Sequence, residues 1–321
     1  MIGIGVIGAG STVARLAVLP AITNSRHAML AAAASLSSAP SDVWAGVAVD
    51  DYQSVIDHPD VDAVYIPLPN GMHEEWTVRA AAAGKHVLCE KPLAPSVVAA
   101  RRMRAACDDA HVLLAEAWMT PFDPRWAELM RLASTGLIGD VTEVRSNFTF
   151  TIGPEASDNY RWDQAQGGGA LFDVGIYCLG PAVQLWGPTP SHVDASVTST
   201  PKDRRGVVDT ATTADLRWGD HRSAHIRCSF VDEEEQRLEL VGTKGALLLD
   251  ADAHTGGMAA SQILYRSADG TTSKIIVTAG DPYLGMIDAF ASAVTGEEPW
   301  ERPIDDSLDM LRLIENILGS S

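Results

Sequence analysis

The chain has 321 residues, 46% of them hydrophobic and 21% charged, enough for roughly two globular domains of ~100–200 residues each. Acidic residues outnumber basic ones by 42 to 24, and a net charge of −18 argues against nucleic acid and anionic membrane as partners. Four cysteines, Cys89, Cys107, Cys178 and Cys228, stand far apart with no CxxC pair, which argues against a disulfide framework or structural zinc and fits a reducing cytoplasm.

The chain is strand-like from its second residue, without the basic segment and cleavage site of a secretory signal. Residues 2–7 form an apolar run ending in Gly8-Ala9-Gly10, and 13–22 carry apolar residues at helical spacing. Glycines between a strand and a helix let the backbone approach a pyrophosphate, whose charge sits at the helix N-terminus. The candidate turn comprises Gly8, Gly10, Ser11, Thr12 and Val13; the third small residue of a GxGxxG/A pattern comes one position late, at Ala14, so the turn holds one extra residue. Residues 29–34 read as a second buried strand. An acidic residue at its end would bind a ribose 2′-hydroxyl and an arginine a 2′-phosphate. The chain offers Ser35, Ser37 and Ser38 there, and no Lys or Arg between Arg26 and Arg79, while Asp42, Asp50 and Asp51 lie in that stretch. The cofactor expected is NAD or NADP, with a modest lean to NAD; Arg15 is the alternative cation for a 2′-phosphate.

A third strand, 61–66, stops at Pro67-Leu68-Pro69-Asn70-Gly71. Asn70 suits the cap of the next helix, 73–83, and the loop with Pro69, Asn70 and His73 leaves the sheet at the edge where a nicotinamide would lie. Residues 87–89 form the fourth strand, running into Glu90-Lys91-Pro92. In an open α/β sheet ligands bind beyond the carboxyl ends of strands, so Lys91 is a cation placed against a ligand, with Pro92 stiffening the turn. A helix at 96–110, N-capped by Ser96, and a strand at 112–115 complete a pattern of right-handed βαβ units with a parallel sheet. Beyond residue 120 the pattern changes: a helix at 123–135, a strand at 141–151 and a helix at 169–186. Strand-like runs then follow at 193–199, 210–218, 224–230, 238–241, 246–249, 263–265 and 274–277, with helices at 282–295 and 305–318. Short turns between consecutive strands mean an antiparallel sheet. No apolar run reaches the ~18 residues of a membrane span, and the histidines are scattered without metal-ligand spacing, so no metal is expected.

Gly167-Gly168-Gly169 opens the helix at 169–186, where Asp173 and Tyr177 sit four apart on one face. With Gly8-Ala9-Gly10, Pro69-Asn70…His73 and Glu90-Lys91-Pro92, this constellation resembles the glucose–fructose oxidoreductase/inositol dehydrogenase (Gfo/Idh/MocA) family over essentially the whole chain. Glu116-Ala117-Trp118-Met119 and Asn159-Tyr160-Arg161 are similar to its D-xylose dehydrogenase and dimeric dihydrodiol dehydrogenase branch. The resemblance implies an α/β fold: an N-terminal Rossmann doubly wound parallel sheet over 1–118, then an α+β domain with an open, mainly antiparallel sheet over 119–321, whose last helix packs back on the first domain. It also implies hydride transfer between a nicotinamide cofactor and a carbinol or carbonyl carbon of a sugar, cyclitol or related polyol. Lys91, Asp173 and Tyr177 are the catalytic residues it assigns, with Lys91 and Tyr177 in acid–base roles. Glu90 and Lys91 join the cofactor contacts, and Trp118 and Arg161 stand beside substrate. A tyrosine ordinarily ionises near 10, so Tyr177 needs a nearby cation such as Lys91. The segment 36–47 is too short for the family's usual second helix. The open sheet is the expected interface of a homodimer or homotetramer. The alternative reading is a non-catalytic dinucleotide-binding sensor.

Overall fold

The computed structural model describes residues 1–36, 43–153, 156, 158–200, 205–256 and 262–319. The chain divides into two compact units, Met1–Met119 with Tyr283–Leu308 and Thr120–Pro282 with Asp309–Ser321.

The first unit is built on five parallel strands, β1 (Ile2–Ile7), β2 (Ala28–Ala34), β3 (Ala63–Ile66), β4 (His86–Glu90) and β5 (Leu114–Ala117), in the order β2-β1-β3-β4-β5. Every residue of β1, β3 and β5 is buried. That is why β1 and β3 read as unbroken apolar runs rather than alternating ones, while β5 buries one carboxylate, Glu116. Chain order reverses at β1, whose carboxyl end therefore opens a crevice against that of β3. The helix after β1 begins as a π turn, Ala14–Val18, before continuing as α1 (Leu19–Asn24). A π turn takes one more residue than an α turn, and here it absorbs the extra residue of the glycine loop. Among the described residues between β2 and β3 there are a 3₁₀ turn, Ala45–Val47, and the five-residue α2 (Tyr52–Ile56), in keeping with the short segment; Ser37, Ser38 and Asp42 lie outside the described residues. The helices α3 (His73–Ala82) and α4 (Val97–Asp109) follow β3 and β4, and the Ser96 hydroxyl caps α4 by accepting from the Ala99 N–H at 3.2 Å. The expected Asn70 cap is replaced: Asn70 opens a 3₁₀ turn, Asn70–Met72, and α3 has no side-chain cap.

The second unit carries eight strands, β6 (Val141–Thr151), β7 (His192–Ser199), β8 (Asp209–Trp218), β9 (Arg222–Ser229), β10 (Val231–Gly242), β11 (Gly245–Leu249), β12 (Gln262–Ser267) and β13 (Thr272–Ile276). Their order is β13-β12-β11-β10-β6-β9-β8-β7. All neighbours are antiparallel except β6 and β9, which pair in parallel. β8 alternates buried and exposed residues, as a strand with one face on the core must. β10 begins seven residues before the predicted 238, because its first half is charged and solvent-facing and hides the alternation. α5 (Pro124–Ser134), N-capped by Asp123, precedes the sheet; α6 (Ile176–Trp186) packs on β6 and β9 behind a π turn at Leu171–Gly175. Contrary to the sequence expectation, the helical run from Gln164 to Trp186 is long and apolar enough for a membrane span by length and composition. However, 78% of its most apolar window is buried inside the protein, as in a core helix. Helices α7 (Pro282–Thr295) and α8 (Ile304–Gly319) close the chain.

Candidate active site

The glycine turn lies where β1 ends. The Gly8 and Ala9 N–H groups donate to the Ala34 carbonyl at 2.8 and 2.9 Å, and Gly8 holds φ at +91°. A Cβ on Gly8 would stand 2.8 Å from Leu68 Cδ2 and 3.3 Å from the Pro67 carbonyl oxygen, so the turn presses directly on the loop after β3. The Ser11 hydroxyl accepts from the Ala14 N–H at 3.2 Å, tying the turn to the helix start; Thr12 is exposed and Gly10, Val13 and Ser35 are half-buried. This close-packed turn at a helix start fits a dinucleotide pyrophosphate.

The carboxyl ends of β3 and β4 form a second cluster at the same sheet edge. The Tyr65 hydroxyl donates to Glu90 Oε1 at 2.7 Å, and the Lys91 N–H donates to Glu90 Oε2 at 3.2 Å. Burial raises the pKa of Glu90, opposed by the charge of Lys91 and the Tyr65 hydrogen bond. The Lys91–Pro92 peptide is cis and the Lys91 side chain is partly exposed. Pro69 is half-buried and Asn70 buried beside them. His73, expected to touch cofactor, is fully buried. Its Nε2 lies 2.8 Å from the Leu68 carbonyl, and its Nδ1 lies 3.1 and 3.2 Å from those of Pro92 and Leu93. With both ring nitrogens on backbone, His73 ties the loop after β3 to the Lys91 turn, and the expectation of a direct cofactor contact is corrected on that ground. Burial lowers its pKa, and the three carbonyls work against that. Trp118, expected beside substrate, is 4% exposed and lies under the Arg302 guanidinium, 4.1 Å from the ring centroid.

In the second unit Arg161 and Asp173 form a bidentate pair, Nε to Oδ2 at 2.5 Å and NH2 to Oδ1 at 3.1 Å. Local folding makes this possible: the Gly169 N–H donates to the Arg161 carbonyl at 3.1 Å, and a Cβ on Gly168 would collide with that same carbonyl. Gly169 holds φ at +126° against the buried Asp209, which accepts from the Leu171 N–H at 2.8 Å and so caps the π turn bearing Asp173. Burial alone would lower the Arg161 pKa, but the charges of Asp173, Tyr160 and Tyr177 overcome it and raise it. Arg161, Asp173 and Tyr177 are thus one electrostatic group. Tyr177 is 6% exposed and packs 5.4 Å from Phe148 and 6.3 Å from His254, ring centre to ring centre. His254, Arg302 and Asp209 escape a reading of the sequence, because a lone histidine, arginine or aspartate outside a motif carries no signal until the fold brings it to a site.

A nucleotide-binding glycine turn at the switch point of a parallel sheet, followed by an open antiparallel sheet, defines a dinucleotide-dependent oxidoreductase. Residues 2–117 match the oxidoreductase family with an NAD-binding Rossmann fold, and residues 126–248 match the GFO/IDH/MocA C-terminal domain; the chain belongs to this family. The reading as a non-catalytic sensor gives way to that of an enzyme. The chain is 34% identical over 309 residues to a D-xylose 1-dehydrogenase (NADP(+)) of Haloferax volcanii, covering 95% of this chain and 93% of the relative. It is 32% identical over 212 residues to a trans-1,2-dihydrobenzene-1,2-diol dehydrogenase of Danio rerio, 64% of this chain and 59% of the relative, in keeping with the expected branch. Among solved structures, a 3-ketoreductase of Actinomadura kijaniata in complex with NADP and TDP-benzene superposes with a TM-score of 0.87 at 28% identity, over 99% of this chain and 97% of that one. Both the Haloferax relative and this structure carry NADP in their names, so the lean to NAD finds no support and is withdrawn. The reason is that a missing cation in one stretch of sequence says nothing of cations the fold brings in from elsewhere.

Proposed function

We propose that the protein moves a hydride between NADP and a carbinol or carbonyl carbon of a free aldose such as D-xylose, with Lys91 and Tyr177 in acid–base roles. The observation that carries this is the Lys91 turn: a cation at the carboxyl end of β4, held by buried His73 and Glu90 at the sheet edge that the glycine turn also occupies. Bound nicotinamide supplies the hydride acceptor or donor. The chain's own groups handle the proton. In oxidation the ionised Tyr177 phenolate takes the hydroxyl proton while the Lys91 ammonium hydrogen-bonds the developing alkoxide; in reduction the neutral Tyr177 phenol returns that one proton and Lys91 again holds the oxygen by a hydrogen bond. Arg161, coupled to Asp173 and to Tyr177, supplies positive charge at the phenol from within the second unit. Because two of its N–H groups already serve Asp173, Arg161 suits hydroxyl groups better than a diphosphate. This favours a free sugar over the nucleotide-linked sugars of some relatives.

For the cofactor, Arg15 in the exposed part of the π turn is the residue assigned to the 2′-phosphate, and Ser35 the ribose contact. A homo-oligomer through the outer face of the eight-stranded sheet is part of the same reading. It is supported by the alternation along β8, whose second set of side chains faces away from the core. Four buried free cysteines suit a reducing compartment. The test is a panel of aldoses, polyols and a TDP-sugar with each dinucleotide, read at the reduced-nicotinamide absorbance, for the wild type and Lys91→Met. Turnover of D-xylose with NADP, lowered ~10²–10³-fold in Lys91→Met with cofactor affinity unchanged, is expected. Turnover of Lys91→Met within a few-fold of wild type would refute the role of Lys91, and preference for the TDP-sugar would refute the substrate class.

A further inference from the structure

The Lys91 turn is gripped on its other side by a group the mechanism does not use. Glu116, in β5, is 2% exposed. Its Oε1 accepts from the Leu93 N–H at 2.8 Å, two residues past Lys91. Its Oε2 accepts from the Ser307 hydroxyl at 2.7 Å and lies 3.6 Å from the Arg302 guanidinium. Arg302 is itself almost enclosed, with its side chain 11% exposed over Trp118, and burial lowers its pKa against the pull of Glu116. A carboxylate taken out of water at this depth is strongly disfavoured unless its oxygens are bonded and its charge is balanced. Glu116 meets both conditions, and one of its bonds goes to the turn itself. From Lys91 to Leu93, four backbone polar groups are bound by three buried side chains: the Lys91 N–H by Glu90, the Pro92 and Leu93 carbonyls by His73 and the Leu93 N–H by Glu116. Glu90 ends β4, which runs into the turn, and His73 opens α3, the helix before that strand. Glu116 alone of the three connects it to residues some two hundred positions away.

We propose that Glu116 is a positioning residue for Lys91, joining the turn that presents the lysine to the Arg302–Ser307 segment through one buried carboxylate. Arg302 balances its charge and Ser307 fixes the second oxygen, so the carboxylate is held in the orientation the Leu93 N–H requires. Loosening either end releases the turn and lets Lys91 sample positions the proposed chemistry does not use. The inference rests on the Lys91 reading only for its effect on turnover; its effect on the turn stands alone.

The experiment reads the turn directly. Wild type, Glu116→Gln and Ser307→Ala are labelled with trace acetic anhydride in the full-length protein, and the acetylation rate of Lys91 is measured by mass spectrometry relative to Lys85, Lys244 and Lys274. Exchange of the Leu93 amide is followed in parallel. Glu116→Gln keeps an acceptor for Leu93 but strips the balance from Arg302; Ser307→Ala keeps the charge and removes one hydroxyl. The expected result is a Lys91 rate raised threefold or more and tenfold faster Leu93 exchange in Glu116→Gln, smaller changes of the same sign in Ser307→Ala, and unchanged rates at the three reference lysines. Where turnover is measured, kcat falls more than KM rises, and the pH profile of kcat shifts. Unchanged Lys91 labelling and Leu93 exchange in a folded variant overturn the proposal. If Glu116→Gln does not fold, Ser307→Ala decides by the same criteria. Changed labelling with an active Lys91→Met would uphold the positioning role and sink the catalytic reading instead.

Discussion

His254 makes the stability of the second unit depend on pH in a way that can be calculated. The residue is fully buried, and its Nε2 lies 3.1 Å from the Asn147 carbonyl, which can only accept; the neutral ring therefore carries its proton on Nε2. Burial lowers its pKa from 6.5 to about 4, with the nearby Arg125 acting in the same direction and the hydrogen bonds to Asn147 and Arg237 opposing. The folded value is below the unfolded one, so as pH falls below 6.5 the unfolded chain takes up the proton first. This contribution to stability is complete above pH 6.5 and is lost as pH falls towards 4. A tenfold change in proton affinity is worth about 1.4 kcal/mol, which makes the total about 3 kcal/mol and the part lost between pH 7 and pH 4.5 about 2.5 kcal/mol. His73 and His86 also have lowered pKa values, and those of the buried Glu90 and Asp209 are raised, so the raw pH profile mixes several groups. The difference between wild type and His254→Gln isolates one of them. Urea unfolding followed by tryptophan fluorescence and far-UV circular dichroism at pH 7 and pH 4.5 gives that difference. The wild type should lose about 2–3 kcal/mol more than the variant over this interval; a difference constant to within about 0.5 kcal/mol would show that His254 does not stay neutral in the folded state. The functional consequence is local. His254 stacks on Phe148, which packs on Tyr177, so a charge on the imidazole would arise within two rings of the phenol.

Tyr177→Phe removes one oxygen from a ring packed on Phe148, so the melting temperature should barely move while kcat falls ~10²–10⁴-fold; a larger loss of stability than of turnover would make Tyr177 a core aromatic. Asp173→Asn leaves Arg161 without its counter-charge, and both stability and kcat should fall. The stability loss should stay below the ~3–5 kcal/mol typical of a fully buried pair, because the Arg161 side chain is 26% exposed. A kcat equal to wild type by steady-state assay would remove Asp173 from the site. Gly8→Ala puts a side chain at φ +91° and 2.8 Å from Leu68 Cδ2; a loss of about 1–3 kcal/mol in stability and at least tenfold weaker dinucleotide binding by titration calorimetry are expected. Titration of both cofactors at one ionic strength should favour NADP, and Arg15→Ala should erase the preference; equal binding of the two by wild type would withdraw Arg15 from the 2′-phosphate.

Much of the fold was legible because its signals are local. The apolar run of β1 and the alternation along β6 coincide with the strands found, and Ser96 caps α4 as its position implies. The elements that were misread are those in which a local signal was overridden. β10 hides its first half behind Asp232, Glu233, Glu234 and Glu235, charges that the open face of a sheet accepts without loss. The helix after the glycine turn carries a π turn at Ala14–Val18, a feature no hydrophobic period reveals. The site divides in the same manner. Lys91, Asp173 and Tyr177 could be picked out because they sit in short motifs, whereas what holds them cannot be seen in any one segment. His73 looks like a ligand contact in sequence, since a histidine after a strand end is exposed unless something covers it; three carbonyls from two loops do so here.

The unsupported lean to NAD has the same physical origin. A 2′-phosphate needs positive charge within a few ångströms, and between Arg26 and Arg79 the chain itself supplies none. In a parallel sheet of order β2-β1-β3-β4-β5 the end of β2 neighbours the end of β1, so residues that follow β1 stand beside those that follow β2. Gly8 and Ala9 both donate to Ala34, the last residue of β2. The turn carrying Ser11 and Arg15 is therefore anchored to the very strand whose end lacks a cation. Sheet order, as well as the composition of one segment, bears on which charges stand near the end of β2, and that is why Arg15→Ala is the variant that tests the cofactor reading.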